Sequence, residues 1–479
     1  MTDYKRDFIE LAMAKNVLKK GGPFTLKSGR KAPYFLNAGD FSDGESTEKV
    51  GQAYAEAIIA SIGSDGFDVL FGPPYKGIPL VVMTARGLKD RGVNKRFAYY
   101  RKEEKVGGEA SGTGVSKADL RKKLVVGTLN EGDRVVIEDD VITTGGAKYE
   151  ALDVLKQVTD SAKPVAVAIA MDRQEIGDYG ISAIQQLQQA TGMKVASIIT
   201  VSDFIDYLTE TKSLTEQEQT EFMRYLRAWG TPEVREKYGL LDKDLVEGRK
   251  VFVACDTPKR EKFVEVAKAT ADNPKIGGYK LGFLLGLGGK GWGLADVVED
   301  SRKYAPGKLV IYDHQKAGTD IPDTGEGFAD KMKEAGVDAV ILFPESGPVT
   351  QVRWVGEALQ RGLGVIVGGE MTHQGYKQSE GGWIRDDALD EIYLLAAKQG
   401  VKHFVVPGNR LPRIKHYKEI LADVDPVFFS PGFVAQGGKI NDAAAVAGDK
   451  WHAIVGRAIM NAGDIEATRK AALEQTSQL

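Results

Sequence analysis

The stretch Val135 to Lys148, VVIEDDVITTGGAK, puts two acids, Asp139 and Asp140, at the end of an apolar run and follows them with Thr143, Thr144, Gly145 and Gly146. Backbone N–H groups at a turn that opens into a helix form a nest for an anion, and the positive end of the helix reinforces it. Neighbouring acids suit the vicinal hydroxyls of a sugar. The run therefore reads as a site for a ribose 5-phosphate, whereas a bare Asp-Asp would be an ordinary acidic cap over a strand–helix turn. A second constellation lies in YDHQKAGTDIPDTGEGF (312–328), where Asp313 ends a strand, Lys316 follows three residues on and Asp320 four after that. Lys280 sits inside the apolar run GGYKLGFLL, where an isolated ammonium is costly unless acids face it. Taken singly, Lys280 reads as a snorkelling strand-end lysine and Asp313 as a helix cap. Placed on neighbouring strand ends, Lys280, Asp313 and Lys316 make an alternating array of charge. SPGFVAQGG (430–438) and IVGRA (454–458) add a Gly-rich loop and an arginine at consecutive strand ends, which suits a second phosphate.

Two kinds of element must position these groups. Runs such as FDVLFG (67–72), RVVIEDD (134–140) and PVAVAIAMD (164–172), bounded by Gly, Pro and acids, predict strands buried on both faces of a parallel sheet flanked by helices. From 203 to 245 the chain turns charged and helical, with Ser213 and Glu216 in a capping-box pattern that predicts a helix start. Beyond it, strand-like runs recur at 249–256, 277–285, 308–314, 339–343, 364–370, 403–408, 426–432 and 451–458. Helix-compatible segments separate them, with a Gly-rich loop between the last two, and the pattern predicts a (β/α)₈ barrel with its site at the strand carboxyl ends. The expected organisation is an α/β chain with a first domain over 1–212, a helical linker over 213–245 and the barrel over 246–479.

Composition bounds what these sites serve. At roughly 150 residues per domain, 479 residues give two or three domains, each able to bury a core. Hydrophobic residues at 42% and charged residues at 27% fit a soluble globular chain. The charge balance, 64 minus 67 or -3, offers no bulk attraction to nucleic acid or an anionic membrane, so anions must be captured locally. Glycine, 56 residues, is over-represented as phosphate loops require. Cys255 is the sole cysteine, which excludes an intrachain disulfide and fits a cytoplasmic location. The five histidines are scattered, so no protein-held metal site is expected.

The Asp-Asp-Val-Ile-Thr-Thr-Gly-Gly run resembles the phosphoribosyl pyrophosphate loop of type I phosphoribosyltransferases. FTLKSGRKAPYFLNAG (24–39), GPPYKGIPL (72–80), YYRKEEK (99–105) and MDRQE (171–175) narrow the resemblance to orotate phosphoribosyltransferase, in the family's order over most of residues 1–210. The resemblance implies that Thr143, Thr144, Gly145 and Gly146 hold the 5-phosphate and Asp139 and Asp140 the ribose. It implies orotate on Lys27, Phe35 and Arg173, and pyrophosphate on Tyr75, Lys76, Arg101, Lys102 and Lys105. It also implies Mg²⁺ carried mainly by the substrate's pyrophosphate. The basic loop departs from the family in having Gly107 and Gly108 where a histidine is usual.

Residues 248–465 resemble orotidine 5'-monophosphate decarboxylase. Its Lys-Asp-Lys-Asp tetrad maps onto Lys280, Asp313, Lys316 and Asp320, with one extra residue in each of the two gaps that follow Asp313. The resemblance implies Asp256 on the ribose hydroxyls, Thr372 facing the pyrimidine, and Gln436 and Arg457 on the phosphate. It also implies a homodimer or higher homo-oligomer in which Asp320, Ile321 and Thr324 reach a second copy. No cofactor is expected for this step, and Lys316 is the expected proton donor. The two resemblances name consecutive reactions, orotate to orotidine 5'-monophosphate and then to uridine 5'-monophosphate, and together resemble the bifunctional synthases of the latter. Two other readings stand beside it: a Mg²⁺-dependent sugar-phosphate lyase or decarboxylase on the same barrel, and a nucleotide sensor that keeps its phosphate loops without turnover.

Overall fold

The structure, a computed structural model, describes residues 1–102, 116–142, 146–242, 244–314 and 319–479, with 146–148 described by backbone alone. The chain divides into two compact units, the first of Met1–Gly177 with Ile181–Phe222, the second of Met223–Leu479 with Asp178–Gly180.

In the first unit, β1 (Leu18–Thr25) and β2 (Lys31–Leu36) pair as an antiparallel hairpin. Six further strands form one sheet: β3 (Val69–Gly72), β4 (Arg96–Tyr100), β5 (Val125–Gly127), β6 (Arg134–Glu138), β7 (Lys163–Asp172) and β8 (Lys194–Thr200). Their order is β5-β4-β3-β6-β7-β8, parallel throughout except for β5, which runs antiparallel to β4. On one face Phe71, Val135, Ile137, Val167 and Ile169 pack with Leu155 and Leu187 of the crossover helices. Both faces being covered is why these strands read as unbroken apolar runs rather than alternating ones.

The second unit is a closed barrel of eight parallel strands: β9 (Lys250–Cys255), β10 (Ile276–Leu281), β11 (Leu309–Asp313), β12 (Ala339–Leu342), β13 (Gly364–Gly368), β14 (His403–Val405), β15 (Val427–Ser430) and β16 (Trp451–Val455). All eight expected strands are present. Phe252, Ile311, Ile341, Ile366, Phe429 and Ile454 fill the interior.

The structure corrects three sequence expectations. The capping box lies at Thr215 and Glu218, which exchange reciprocal backbone–side-chain bonds of 3.1 and 2.9 Å, and not at Ser213 and Glu216. Ser213 is already engaged: its N–H closes the preceding helix on the Leu208 carbonyl and its hydroxyl pairs with Thr211. The run 277–285 is strand only to Leu281 and then a short helix, Phe283–Gly286. A helix, Ile440–Ala447, follows the Gly-rich loop before β16, formed by the alanines of INDAAAVA.

Candidate active sites

Side chains alternate across a strand, so residues two apart share a face. On the barrel this rule builds a site. Ala254 and Ile311 point into the apolar interior, and Lys280 is their register partner on β10, between β9 and β11. Asp256 and Asp313, each two residues further on, therefore rise on the same inner face just above Lys280. The Lys280 ammonium lies 2.7 Å from Asp313 Oδ2 and 3.3 Å from Asp256 Oδ1. Burial alone would push this ammonium towards neutrality, but the two carboxylates outweigh it and hold Lys280 charged, with its pKa above the usual lysine range. Side-chain exposure is 8% for Lys280 and 5% for Asp313, so the pair works in a medium of low dielectric.

Lys280, Asp256 and Asp313 open into a cavity of about 230 Å³ at the strand carboxyl ends, walled by Ile341, Phe343, Val405 and Phe433 and also lined by Thr372, Gln436 and Arg457. Arg457 begins the short helix after β16, and Gln436 stands exposed on the loop after β15. Asp320, Ile321 and Thr324 lie outside the cavity lining. All three are exposed, Ile321 at 59%, with Thr324 opening the helix Thr324–Glu334 and donating to the Ile321 carbonyl. Lys316 lies outside the described residues.

In the first unit the acids stand where β6 ends. Asp139 and Asp140 are buried, and Asp140 Oδ2 accepts from the Lys76 ammonium at 2.6 Å, which also reaches Asn37 Oδ1 at 3.2 Å. Tyr54 donates to the Asp139 carbonyl at 2.8 Å and so fixes the strand end. The turn that carries Lys76 joins β3 to the helix Gly77–Asp90, and a Cβ on Gly72 would lie 2.6 Å from the Gly77 carbonyl; only glycine permits this approach. Tyr75 in that turn is held at φ +68 and is 71% exposed, with the Lys102 ammonium 5.7 Å from its ring centre. Arg101 points elsewhere in this structure: its guanidinium donates to the Lys123 carbonyl. Lys105, Thr143, Thr144 and Gly145 lie outside the described residues, and Gly146 begins the helix Gly146–Val158.

Arg173, just past β7, bonds Glu175 at 2.8 Å and lies over the Tyr34 ring at 4.8 Å. Tyr34 and Arg30 join the same carboxylate, at 2.8 and 3.6 Å. Burial raises the Glu175 pKa, but Arg173 and Arg30 outweigh it, leaving it below the usual range. Phe35, on the neighbouring strand position, lies with its ring tilted 31° to that of Phe24 at 5.9 Å, and Lys27 is exposed in the hairpin turn. The sequence reading missed Asn37, Arg30, Tyr34, Glu175 and Glu138. Glu138 is fully buried behind Asp139, where burial pushes its pKa to about 8 against the hydrogen bond from Thr84. An acid directly before Asp-Asp was the available signal.

Among the described residues no cluster of three or more His, Cys, Asp or Glu is placed to hold a metal, and no helix is long and apolar enough to cross a membrane.

Comparison with known proteins assigns each unit. Residues 38–176 match the family model of the phosphoribosyl transferase domain, and residues 249–472 match that of the orotidine 5'-phosphate decarboxylase / HUMPS family. Orotate phosphoribosyltransferase of Marinobacter nauticus is 45% identical over 208 residues, 43% of this chain and 90% of that protein. The Neisseria gonorrhoeae orotate phosphoribosyltransferase is 40% identical over 240 residues, 50% of this chain and all of that protein. Among solved structures, orotate phosphoribosyltransferase of Francisella tularensis is 34% identical over 47% of this chain and 100% of its own, with a TM-score of 0.40. Orotidine 5'-monophosphate decarboxylase of Methanocaldococcus jannaschii, complexed with the inhibitor BMP, is 26% identical over 48% of this chain and 99% of its own, with a TM-score of 0.42.

Proposed function

The chain belongs to the orotate phosphoribosyltransferase family and carries an orotidine 5'-phosphate decarboxylase domain behind it, making a fused uridine monophosphate synthase, and from this premise we propose how its residues divide the work. The first unit is a glycosyltransferase that joins orotate to phosphoribosyl pyrophosphate. The second is a carboxy-lyase that converts the resulting orotidine 5'-monophosphate to uridine 5'-monophosphate and CO₂.

In the first unit, Asp139 and Asp140 receive the ribose hydroxyls, and residues 143–146 cradle the 5-phosphate. Lys76, Lys102 and the edge of Tyr75 meet the pyrophosphate, with Arg101 and Lys105 joining from the same basic segment. Arg173 and Lys27 offer positive charge to the orotate carboxylate beside the Phe35 ring. The reaction builds positive charge on the sugar as pyrophosphate leaves, so positioning and fixed charge matter more than a strong base. The family works with Mg²⁺, and two adjacent strand-end carboxylates, Asp139 and Asp140, suit an ion that arrives with its substrate's pyrophosphate. When bound, the ion neutralises charge on the departing pyrophosphate.

In the second unit, Gln436 and Arg457 hold the phosphate at the cavity mouth, Asp256 the ribose and Thr372 the pyrimidine. The single observation that carries this reading is the buried Lys280, flanked by Asp313 and Asp256 at the floor of that cavity. As CO₂ leaves, negative charge gathers on the ring carbon. The ammonium groups of this array stabilise it, and Lys316 delivers the proton. Asp313 orients Lys280, and no cofactor takes part. Asp320, Ile321 and Thr324 complete the site of a second copy, so the working form is a homodimer or larger homo-oligomer. A cytoplasmic location fits the lone buried cysteine.

The test is a time course with the purified chain. Orotate, phosphoribosyl pyrophosphate and Mg²⁺ yield uridine 5'-monophosphate, and orotidine 5'-monophosphate with excess chelator yields it too. Product stalled at orotidine 5'-monophosphate in the first arm sinks the decarboxylase reading, and a chelator-sensitive second arm favours the Mg²⁺-dependent barrel instead.

A further inference from the structure

Thr372 and Gln436 stand on different loops, after β13 and β15, and reach the cavity from two sides. Between them, beyond the end of β14, lies the sequence Gly408-Asn409-Arg410. The Asn409 amide donates to the Thr372 carbonyl at 3.3 Å and approaches the Gln436 carbonyl at 3.5 Å. The next residue, Arg410, donates to the next carbonyl, His373, at 3.0 Å. Two consecutive side chains thus hold two consecutive carbonyls of the Thr372 loop, and one of them touches the Gln436 loop as well.

The packing leaves little freedom for this arrangement to slip. A Cβ on Gly432, whose φ of +109 suits glycine, would lie 3.2 Å from both the Thr372 methyl and the Asn409 side chain, so the three meet at one point. Asn409 Oδ1 is buried and accepts no hydrogen bond among the described residues, which leaves the amide acting as a donor alone. Arg410 in turn is anchored on Glu380 and, at 3.3 Å, on Glu370, whose fully buried carboxylate also takes Arg413 and Tyr417 at 2.6 Å each. Glu370 lies two residues before Thr372, so the loop is pinned at its root and along its length.

We propose that Asn409, braced by Arg410, is a positioning residue for decarboxylation that couples the Thr372 loop to the Gln436 loop, so that contacts at the phosphate end are felt at the pyrimidine end. This rests on the reading of Thr372 and Gln436 given above. Binding energy at a remote phosphate raises turnover only if something links it to the reacting ring. The Asn409 amide reaches one backbone carbonyl of each loop.

The full chain carrying Asn409→Leu or Asn409→Ala tests this. Leucine keeps the side chain's size and removes the donor, whereas alanine removes both. Both variants lower kcat/KM for decarboxylation by roughly tenfold, the loss expected for an interaction of about 1–2 kcal/mol, while orotate consumption by the first unit stays at the wild-type rate. In the wild type, the losses from Thr372→Ala and Gln436→Ala are non-additive; in the Asn409→Leu background they add. Wild-type decarboxylation by Asn409→Leu, with or without impairment of Asn409→Ala, reduces Asn409 to packing and overturns the proposal. So does a Thr372–Gln436 coupling that survives the substitution. If Asn409→Leu does not fold, Arg410→Lys, which keeps the charge and loses the fork, lowers kcat/KM in the same direction; an unchanged value overturns it. Wild-type kinetics for Thr372→Ala and Gln436→Ala alone would instead sink the underlying reading of those two residues.

Discussion

The two sites of this chain differ in where their charge is kept. In the barrel, Lys280 and Asp313 are built into the wall before any substrate arrives, with 8% and 5% of their side chains reached by water. In the first unit, Lys76 remains 48% exposed and Tyr75 projects from a strained turn. The difference follows the chemistry. A carbanion forming on an apolar ring carbon brings no counter-charge of its own, so the protein must hold a cation ready where the dielectric is low. A pyrophosphate brings its own charge, so the protein needs only to meet it. Pre-organisation is concentrated where the substrate supplies least.

The largest effect therefore belongs to the barrel. Lys280→Met removes the ammonium from two carboxylates, and decarboxylation falls by roughly a thousandfold or more. Breaking a buried ion pair from one side also destabilises the barrel by about 3–5 kcal/mol. The transferase assay and thermal unfolding of the same preparation separate the two units. Equal losses in both activities would show that the pair is structural for the whole chain and would erase the contrast.

A dry carboxyl group also hides behind the open site, and pH reveals it. Glu138 is fully buried with a pKa of about 8, raised from 4.5 by burial. In the folded chain it keeps its proton between pH 4.5 and 8, while the unfolded chain has lost it. Folding thus binds a proton over this window, and stability falls as pH rises from about 4.5 to about 8, then levels off. The loss is at most about 5 kcal/mol, taking 1.36 kcal/mol per unit. Glu138→Gln keeps an acceptor for Thr84 and carries no charge, so its melting temperature exceeds that of the wild type most at pH 8 and above and converges with it near pH 4.5. Parallel curves for the two proteins would mean that Glu138 is not buried in neutral form.

The barrel was largely legible in the sequence because its logic is local. Each strand is one apolar run, and the period of two lifts Asp256 and Asp313 onto the face that Lys280 shares. The first unit was legible as a sheet, but its site depends on residues far apart in the chain. Asn37 reaches Lys76, and Tyr34 and Arg30 reach Glu175 across some 140 residues. No spacing rule joins these; only the docking of the β1–β2 hairpin against the sheet does. The Thr215 cap was misplaced by two residues because Ser213 offers the same pattern, and its prior engagement with Leu208 and Thr211 is visible only in three dimensions.

At the open site, Asp140→Asn removes the carboxylate that Lys76 holds at 2.6 Å and that the ribose is to meet. Losing one charge-assisted hydrogen bond lowers transferase kcat/KM by roughly ten- to a hundredfold, and decarboxylation of added orotidine 5'-monophosphate is unchanged. A loss in both steps would mean that the two sites are coupled more tightly than two separately built units require.

The smallest effect concerns the backbone of that site. Tyr75 sits at φ +68, where a residue with a Cβ is strained by about 1–2 kcal/mol and glycine is not. Tyr75→Gly removes this strain but also the ring beside Lys102, so the first unit gains up to about 1 kcal/mol in unfolding, after the greater freedom of glycine in the unfolded chain is offset. The KM for phosphoribosyl pyrophosphate rises severalfold at the same time. Tyr75→Ala loses the same ring yet keeps the strain, so its KM rises equally while its stability does not improve. The difference between the two variants isolates the turn itself. If alanine and glycine are equally stable, the turn carries no strain, and the openness of this site is a matter of exposure alone.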